Sequence, residues 1–527
     1  MGGMALGTAQ AQPRFEDPVQ LLGERLKEGS IYRLLAEHGH VLFPDDYFAD
    51  LYSASVLGRP TVPARVMATV MLLQAFEGLS DREACDRLEF DLRWQAAAGV
   101  GTGATSFHPT ALVGQRNRLR ASERPRRLFE DTKAMAKATG AMKMRARVLD
   151  STPIYDAVAT EDTVTQLRAS IRKLLSALDQ AASPLATTVR QALQRDDAYA
   201  TPGKPPCDWD DRAAREALVD ALAKDASAAL GALEGHELGP GVAKAAELVA
   251  LVAGQDVAQG DDGMFRIAKK VAKDRVISTV DTEARHGHKS RRRHFDGYKA
   301  HVSVDPDSEM IDEVVASPAN TADRDAVAQL VEDLKGSEQK PEVVGDSAYA
   351  DGATRAAMSD EGFEVVSKCP PVRNSTGLFT KDNFVVDLAS GTVTCPASKL
   401  AQIVIAPGGA GTASFKAQCR SCPLRAQCTR SPNGRTISVH PQERLLQKAR
   451  AEQQQPAWLS RYRADRPIVE RKIAHFVRRP WGGRRARTRG VARVSTDLWA
   501  RAGAINWARL AVLGLGRDGA DWSVTAI

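Results

Sequence analysis

Apolar residues recur at the helical period of 3.6 through the first part of the chain. The stretch 63–77 has this pattern and is closed by Gly78, a residue that commonly ends helices. Ser80 follows as a candidate N-cap, with Glu83 at the third helical position of the next helix. These signals predict an all-α domain over residues 21–140.

A second part of this domain carries basic residues on a predicted helix. The stretch 106–120 would place Arg116, Arg118 and Arg120 on one helix. Helix-turn-helix units that bind DNA have this succession of short helices. A plain helical packing domain is the alternative. We interpret residues 1–20, which precede the domain, as a short flexible tail.

Short β-branched runs begin near residue 141 and predict an α/β core over 141–371. Strand patterns recur near Val280, through Val304 and Val314, and again from Phe363, with a helical pattern at 323–334. Residues 160–270 are rich in Ala, Leu, Lys and Glu and are too long for an ordinary connection, so they predict a helical insertion. Three prolines divide its halves, namely Pro202, Pro205 and Pro206.

Residues 372–460 form a second predicted insertion, which concentrates four of the seven cysteines. One distant cysteine precedes a Cys-x-x-Cys pair and a fourth cysteine, which gives Cys395, Cys419, Cys422 and Cys428. Four thiolates can close a tetrahedral Zn²⁺ site. Free thiols or a redox pair remain the alternatives, since the last spacing is wider than in common zinc ribbons.

The last region, 461–527, opens with a basic helical pattern around Glu470. Val469, Ile473 and Phe476 recur at the helical period, and Pro480 with Gly482 should end the helix. Pro467 is tolerated only in a first helical turn, which places the predicted N-cap at Asp465. The remainder to residue 527 reads as helical.

Three carboxylates in these regions form a candidate metal site. Asp150 and Asp346 each follow a short β-branched run, so each should lie at a strand end, and Glu470 lies on the predicted helix. Two such aspartates and a glutamate can hold two divalent cations that activate a nucleophilic oxygen and stabilise a leaving oxygen. Hard oxygen ligands suit Mg²⁺ or Mn²⁺.

Composition and charge restrict the class of protein. The chain has 527 residues, 43% of them hydrophobic and 26% charged, which is typical of soluble proteins with several domains. A net charge of +7 favours an acidic partner, and basic residues cluster at 461–493 and at 286–294. We interpret the histidines of the second cluster, and His301, as DNA contacts or plain surface. No apolar run is long enough for a membrane span, no leader is evident, and the odd cysteine count favours a reducing cytoplasm.

Four stretches together resemble the DDE transposases of bacterial insertion sequences. They are Val-Leu-Asp-Ser-Thr at 148–152, Phe-Asp-Gly-Tyr-Lys-Ala-His-Val at 295–302, Val-Gly-Asp-Ser-Ala-Tyr at 344–349, and the segment around Tyr462, Arg466 and Glu470. The resemblance implies a ribonuclease-H-like mixed sheet with Asp150, Asp346 and Glu470 as the catalytic, metal-binding triad. It also implies that the N-terminal domain takes part in binding the element ends.

The Glu470 segment departs from the spacing of the branch it resembles, which has a tyrosine, an arginine and a lysine around the glutamate. Arg466 fits, Tyr462 is one position early, and the lysine position falls on Val477, beside Arg478. We expect Arg466 to hold a phosphate near the metals, or else to form an ion pair with Glu470. The other predicted DNA-binding residues are Tyr462, Arg478, Lys299, Arg484 and Arg485.

The function predicted from these features is transposition. The chain would cut at the terminal inverted repeats of its own element and join the ends to target DNA, as a homodimer on DNA in a bacterial, nucleoid-associated cytoplasm. A metal-dependent nuclease without strand transfer is the alternative among enzymes. A non-catalytic DNA-binding regulator is the alternative in which the carboxylates only pair with arginines.

Overall fold

The computed structural model describes Gly7 and residues 17–52, 60–270, 272–290, 292–338, 340–370, 377–478 and 483–525. Most of the predicted tail, Arg291 of the basic cluster, and the predicted helix stop at Pro480 and Gly482 lie outside these residues. Within this part of the chain, no helix has both the length and the apolar character needed to cross a bilayer.

The first region folds into helices packed around one apolar core. The helices are α1 (Pro18–Leu22), α2 (Ile31–Leu42), α3 (Ala64–Glu77), α4 (Asp81–Phe90), α5 (Leu92–Ala98), α6 (Thr110–Ala121) and α7 (Arg127–Ala138). Gly78 ends α3 in the left-handed conformation, with a φ of 77°. Ser80 and Glu83 form the predicted capping box at the start of α4. Both local predictions are confirmed.

Strand β1 (Ala146–Tyr155) starts the central sheet, and a helical insertion follows it. Its helices are α8 (Thr163–Gln180), α9 (Leu185–Ala192), α10 (Arg212–Gly231) and α11 (Pro240–Asp256), with a small hairpin of β2 (Val257–Gln259) and β3 (Phe265–Ile267). The insertion has its own apolar core. Its two ends meet where the Glu161 amide donates to the Ile277 carbonyl at 2.8 Å.

The central sheet contains six strands in the order β4-β5-β1-β7-β8, with β6 also paired to β5. The strands after β1 are β4 (Arg285–Ser290), β5 (Arg293–Val304), β6 (Ile311–Pro318), β7 (Glu342–Gly345) and β8 (Val365–Ser367), with helices α12 (Val327–Leu330) and α13 (Gly352–Asp360) between them. β5 runs antiparallel to β1, whereas β7 and β8 continue parallel to it. This mixed α/β order agrees with the predicted fold class. The helix predicted over 323–334 is instead a series of single turns.

The cysteine-bearing region forms a separate five-stranded antiparallel sheet that the sequence did not predict. Its strands are β9 (Val385–Asp387), β10 (Thr392–Thr394), β11 (Leu400–Ile405), β12 (Gly411–Ser414) and β13 (Thr436–Val439), with the short helix α14 (Arg425–Cys428) before β13. The strands have only three to six residues each, which gives a period of two too few positions to stand out in the sequence, although Ile437 and Val439 of β13 do alternate with exposed residues.

The chain ends with α15 (Glu443–Glu452), α16 (Pro456–Phe476), α17 (Val491–Val512) and the hairpin β14 (Gly516–Asp518) and β15 (Asp521–Ser523). The predicted start of α16 was wrong. Pro456 opens the helix and Pro467 lies inside it, while Asp465 is buried rather than capping. Tertiary contacts outweigh the local cost of an interior proline, because α16 packs on the central sheet through Val469, Ile473 and Phe476.

Candidate active site

The sheet register brings Asp150 and Asp346 side by side. β1 and β7 are adjacent and parallel, and Val148 pairs with Val344. The same step of two residues leads from each valine to an aspartate, so the two carboxylates lie side by side. The prediction of a strand end was wrong for Asp150, which lies inside β1 opposite Val302, because β1 continues along β5 beyond the end of β7. Asp346 lies just past β7, where its side chain accepts a hydrogen bond from the Ala348 amide at 2.9 Å.

Helix α16 is fixed over this part of the sheet by ion pairs to the strands that carry the aspartates. At the start of β1, Arg145 binds both oxygens of the buried Asp465, at 2.7 and 3.0 Å. Arg461 binds Glu342 of β7 at 2.6 Å. A helix anchored on both strands holds its side chains at a defined height above the carboxylates.

Arg466 of α16 lies between the carboxylates. Its Nη2 is 3.2 Å from Asp150 and 3.9 Å from Glu470. Burial raises the pKa of Asp150, and the charge of Arg466 acts in the opposite direction. Burial lowers the pKa of Arg466, but the charges of Asp150 and Asp346 outweigh it and raise that pKa. The Arg466 Nη1 is buried without a hydrogen-bond partner.

Glu470 lies one helical turn beyond Arg466, with its side chain 62% exposed, against 20% for Asp150. Asp150, Asp346 and Glu470 therefore all lie near Arg466, and Glu470 borders solvent. Within the described residues, however, no three His, Cys, Asp or Glu side chains are arranged to hold a metal ion. The carboxylate oxygens are still the donor set that Mg²⁺ and Mn²⁺ prefer.

The predicted DNA contacts around Glu470 have different environments. Tyr462 is buried and stacks on Trp458, with ring centroids 5.1 Å apart, so in this structure it packs beside Arg466, and its contact with DNA stays a prediction. Arg478 follows the end of α16 and is exposed. The Lys299 ammonium donates to Asp323 and to the Thr321 carbonyl, both at 2.8 Å, and its contact with DNA stays a prediction.

The segment after residue 483 contacts the second half of β1. Arg484 donates to the Thr152 hydroxyl, two residues from Asp150 and on the same face of the strand. Its neighbour Arg485 forms a parallel bridge with Tyr155 through the backbone, and its side chain is exposed. Arg484 therefore lies close to the carboxylates, and Arg485 lies at the rim.

Sequence reasoning missed a polar network behind the aspartates. Asp323 accepts a hydrogen bond from the Ser151 hydroxyl at 3.1 Å and pairs with Lys299. His301, expected at the surface, is fully buried and binds the Tyr349 hydroxyl at 3.1 Å and the Ser317 hydroxyl at 2.9 Å. That expectation was wrong because His301 belongs to central strand β5, where alternate side chains face the core. The strand-like alternation of residues 295–302 could have indicated that His301 is buried.

The four cysteines of the predicted zinc site converge on one place. Cys395, Cys419, Cys422 and Cys428 all line a cavity of about 20 Å³. The Cys395 sulfur accepts from the Lys399 amide and the Cys419 sulfur from the Arg435 amide, both at 3.4 Å. Burial raises the pKa of the Cys428 thiol, and nearby Arg435 opposes the shift. The four thiols are free.

Comparison with known families bears on both halves of the molecule. Residues 264–507 match the transposase DDE domain, and residues 20–118 match a transposase domain known as DUF772. The chain belongs to the DDE transposases. No curated protein and no solved structure matches it significantly.

The two matches divide the transposase in a way that agrees with the fold. The DDE match contains Asp346 and Glu470 but begins after Asp150, which the helical insertion separates from the rest of the core. The DUF772 match runs from within α1 through α5 and most of α6. A DDE domain implies a ribonuclease-H-like fold, DNA as the partner, and the use of divalent metal ions, as is general in the family.

Proposed function

We propose that this transposase cuts DNA at the ends of its own element and joins the freed 3′-hydroxyl to target DNA. The observation that carries the proposal is the register of β1 and β7, which sets Asp150 beside Asp346 under the anchored helix that carries Glu470. The terminal inverted repeats and target DNA would be its substrates, with two copies of the chain acting together in a bacterial cytoplasm.

Asp150, Asp346 and Glu470 are the residues that would hold two Mg²⁺ or Mn²⁺ ions. Such ions lower the pKa of a bound nucleophile and neutralise charge on the leaving oxygen. Arg466 can turn its unpartnered Nη1 to a phosphate oxygen while it stays beside Asp150. Phosphoryl transfer depends on positioning and on charge stabilisation, so no serine or cysteine nucleophile is needed.

The cysteine cluster has a separate proposed role. We propose that Cys395, Cys419, Cys422 and Cys428 bind one Zn²⁺, which stabilises the small β9 to β13 sheet. The cavity that all four cysteines line and the amide hydrogen bonds to two sulfurs support the proposal. Because no three of these side chains are arranged to hold an ion in the described part of the chain, the thiolates would have to rotate to reach tetrahedral geometry.

Triad variants test the chemistry directly. Asp150→Asn, Asp346→Asn and Glu470→Gln should each reduce cleavage of the DNA that flanks the gene by orders of magnitude in Mg²⁺, and should leave DNA affinity within a few-fold. Gel mapping of cut and joined ends measures this result. Asp156→Asn and Asp351→Asn are matched controls outside the proposed triad.

Each alternative function predicts a different outcome. Cut ends without joined products would favour a nuclease. Cleavage near the wild-type rate in any triad variant would remove that residue from the site. Binding without cleavage by the wild-type chain would favour a regulator.

A further inference from the structure

A basic groove lies between the N-terminal helices and the catalytic core. It has a volume of about 580 Å³, and one wall is formed by the start of α4 together with α6. The other wall is formed by residues 487–488 and the first turns of α17. We call it the basic groove because arginines, among them Arg116, Arg120, Arg487 and Arg493, outnumber the two carboxylates of its lining, Asp81 and Asp497.

Some of these arginines already have partners in the protein. Arg116 pairs with Asp81 at 2.6 Å, and Arg487 donates to the Leu79 carbonyl at 2.5 Å. Arg120 and Arg493 differ, because neither forms an ion pair with a carboxylate of the described residues. The Arg120 guanidinium donates to the amide oxygen of Asn117 on the same helix, a neutral partner that leaves its charge uncompensated. Burial lowers the pKa of Arg120, and the nearby charges of Arg493 and Arg116 lower it further. Cations that face one another across a groove are stabilised by an anion between them.

The groove is connected to the candidate active site by a short piece of chain. Arg484 donates to Thr152 near Asp150, and Arg487 reaches Leu79 at the groove. Three extended residues span at most about 10 Å, and one DNA strand advances about 3.4 Å per nucleotide. The groove is therefore only a few nucleotides from the carboxylates.

We propose that the basic groove binds the phosphodiester backbone of element DNA a few nucleotides from the phosphate that is cut. Arg120 and Arg493 contact backbone oxygens there, and Arg116 stays in its internal ion pair. DNA that spans the groove and the carboxylates joins the end-binding domain to the catalytic core. The inference rests on the proposed function and names where its substrate lies.

The first test measures binding alone, on Asp150→Asn protein, with a fluorescent random-sequence duplex. The double change Arg120→Gln with Arg493→Gln should weaken binding at least tenfold at moderate salt. It should also reduce the slope of log affinity against log salt by about two, since each lost phosphate contact contributes roughly 0.9. The matched control is Arg33→Gln with Arg212→Gln, which removes two exposed arginines from pairs with Glu37 and Glu216.

Unchanged affinity and slope in the double variant would overturn the proposal, as would an equal loss in the control. Circular dichroism melting checks that each variant folds, and Arg493→Lys, which keeps the charge, should retain most of the affinity. Because the assay needs no cleavage, its result stands even if the proposed chemistry fails.

A second arm locates the contact. Neutral methylphosphonate linkages are placed one at a time along flanking DNA that the wild-type protein cuts. Linkages two to five nucleotides from the cut should weaken binding by wild-type protein, as about 10 Å of separation implies. They should have no further effect on the double variant. Equal effects on both proteins would place the groove contact elsewhere and overturn the proposal.

Discussion

Arg466 is the residue whose charge most directly controls the candidate site. Burial raises the pKa of Asp150, and Arg466 counteracts that rise. Arg466→Ala should therefore raise the pKa of Asp150 further, so a larger fraction is protonated and unable to bind a cation at a given pH. We expect the acidic limb of the cleavage rate to move to higher pH, together with a loss of rate at the optimum.

The measurement is single-turnover cleavage of bound DNA across the neutral range. Arg471→Ala is the matched control, because Arg471 lies on the same helix but pairs with Glu309 at 2.9 Å, away from the carboxylates. A uniform loss of rate with an unmoved acidic limb would contradict the electrostatic role. If Arg466→Ala weakened binding to all DNA sequences equally and left the cleavage rate of bound DNA unchanged, Arg466 would be an ordinary contact with the DNA backbone.

Buried His301 should make the free energy of unfolding depend on pH. Burial lowers the pKa of His301 to about 4, below the ordinary value of about 6.5. Between these values the unfolded chain binds a proton that the folded chain does not, so stability falls as the pH drops through this window. The full loss is roughly 3 kcal/mol. Urea unfolding across the window should show a smaller slope for His301→Gln than for the wild type.

His236→Gln is the control for this prediction, since His236 is exposed in the helical insertion. It should keep the wild-type dependence on pH. An unchanged slope in His301→Gln would show that other groups dominate acid destabilisation.

For single residues, the sequence predicted positions that depend on the pattern of a strand, but not contacts between distant residues. Asp150 and Asp346 could be found because each comes within two residues of a valine in a short apolar run, and parallel pairing of those runs then brings them together. The ion pair of Lys299 with Asp323 could not be found, because it joins residues whose proximity depends on the packing of the turn after β6. Lys299 belongs to the stretch 295–302 that carries the resemblance, and the sequence around it contains no sign of its partner Asp323.

Among the elements, we expect the stability of the small sheet of β9 to β13 to depend on its cysteines, because its apolar core is small. It has only a few buried apolar side chains, and Cys428 is one of them. Purified protein should contain about one equivalent of zinc, and Cys428→Ser should lose it and loosen this sheet without unfolding the central one. Elemental analysis and limited proteolysis measure the two effects.

Cys207→Ser is the matched control for the zinc prediction, since Cys207 lies in the helical insertion. It should keep the metal. Protein purified without chelator that contains no zinc would contradict the prediction and leave the assignment of the carboxylates intact.

The start of helix α16 could not be predicted from local sequence rules. The apolar period around Val469 and Ile473 correctly indicated a helix, but the rule for proline placed its start too late. The ion pairs of Arg145 with Asp465 and of Arg461 with Glu342 hold the earlier turns, and both join residues far apart in sequence. Local patterns contain no information on such pairs.

For the whole molecule, the helical insertion should be removable. Its ends meet at Glu161 and Ile277, and its core is formed by its own helices. Replacing residues 162–276 by a short glycine-serine turn should leave a core that unfolds cooperatively, at a melting temperature a few degrees lower. The loss comes from contacts such as the hydrogen bond from Lys173 to the Thr279 carbonyl. Calorimetry measures this, and aggregation or a broad transition would contradict it.

The same closed insertion has a consequence for the order of folding. β1 must find β5 across the whole insertion, and loop closure costs about 0.6 kcal/mol more for each doubling of loop length. The helices α8 to α11 make mainly local contacts, which form quickly. Once they have packed, Glu161 and Ile277 are neighbours and the effective loop is short. The part of the chain that separates the two central strands in sequence would then bring them together during folding.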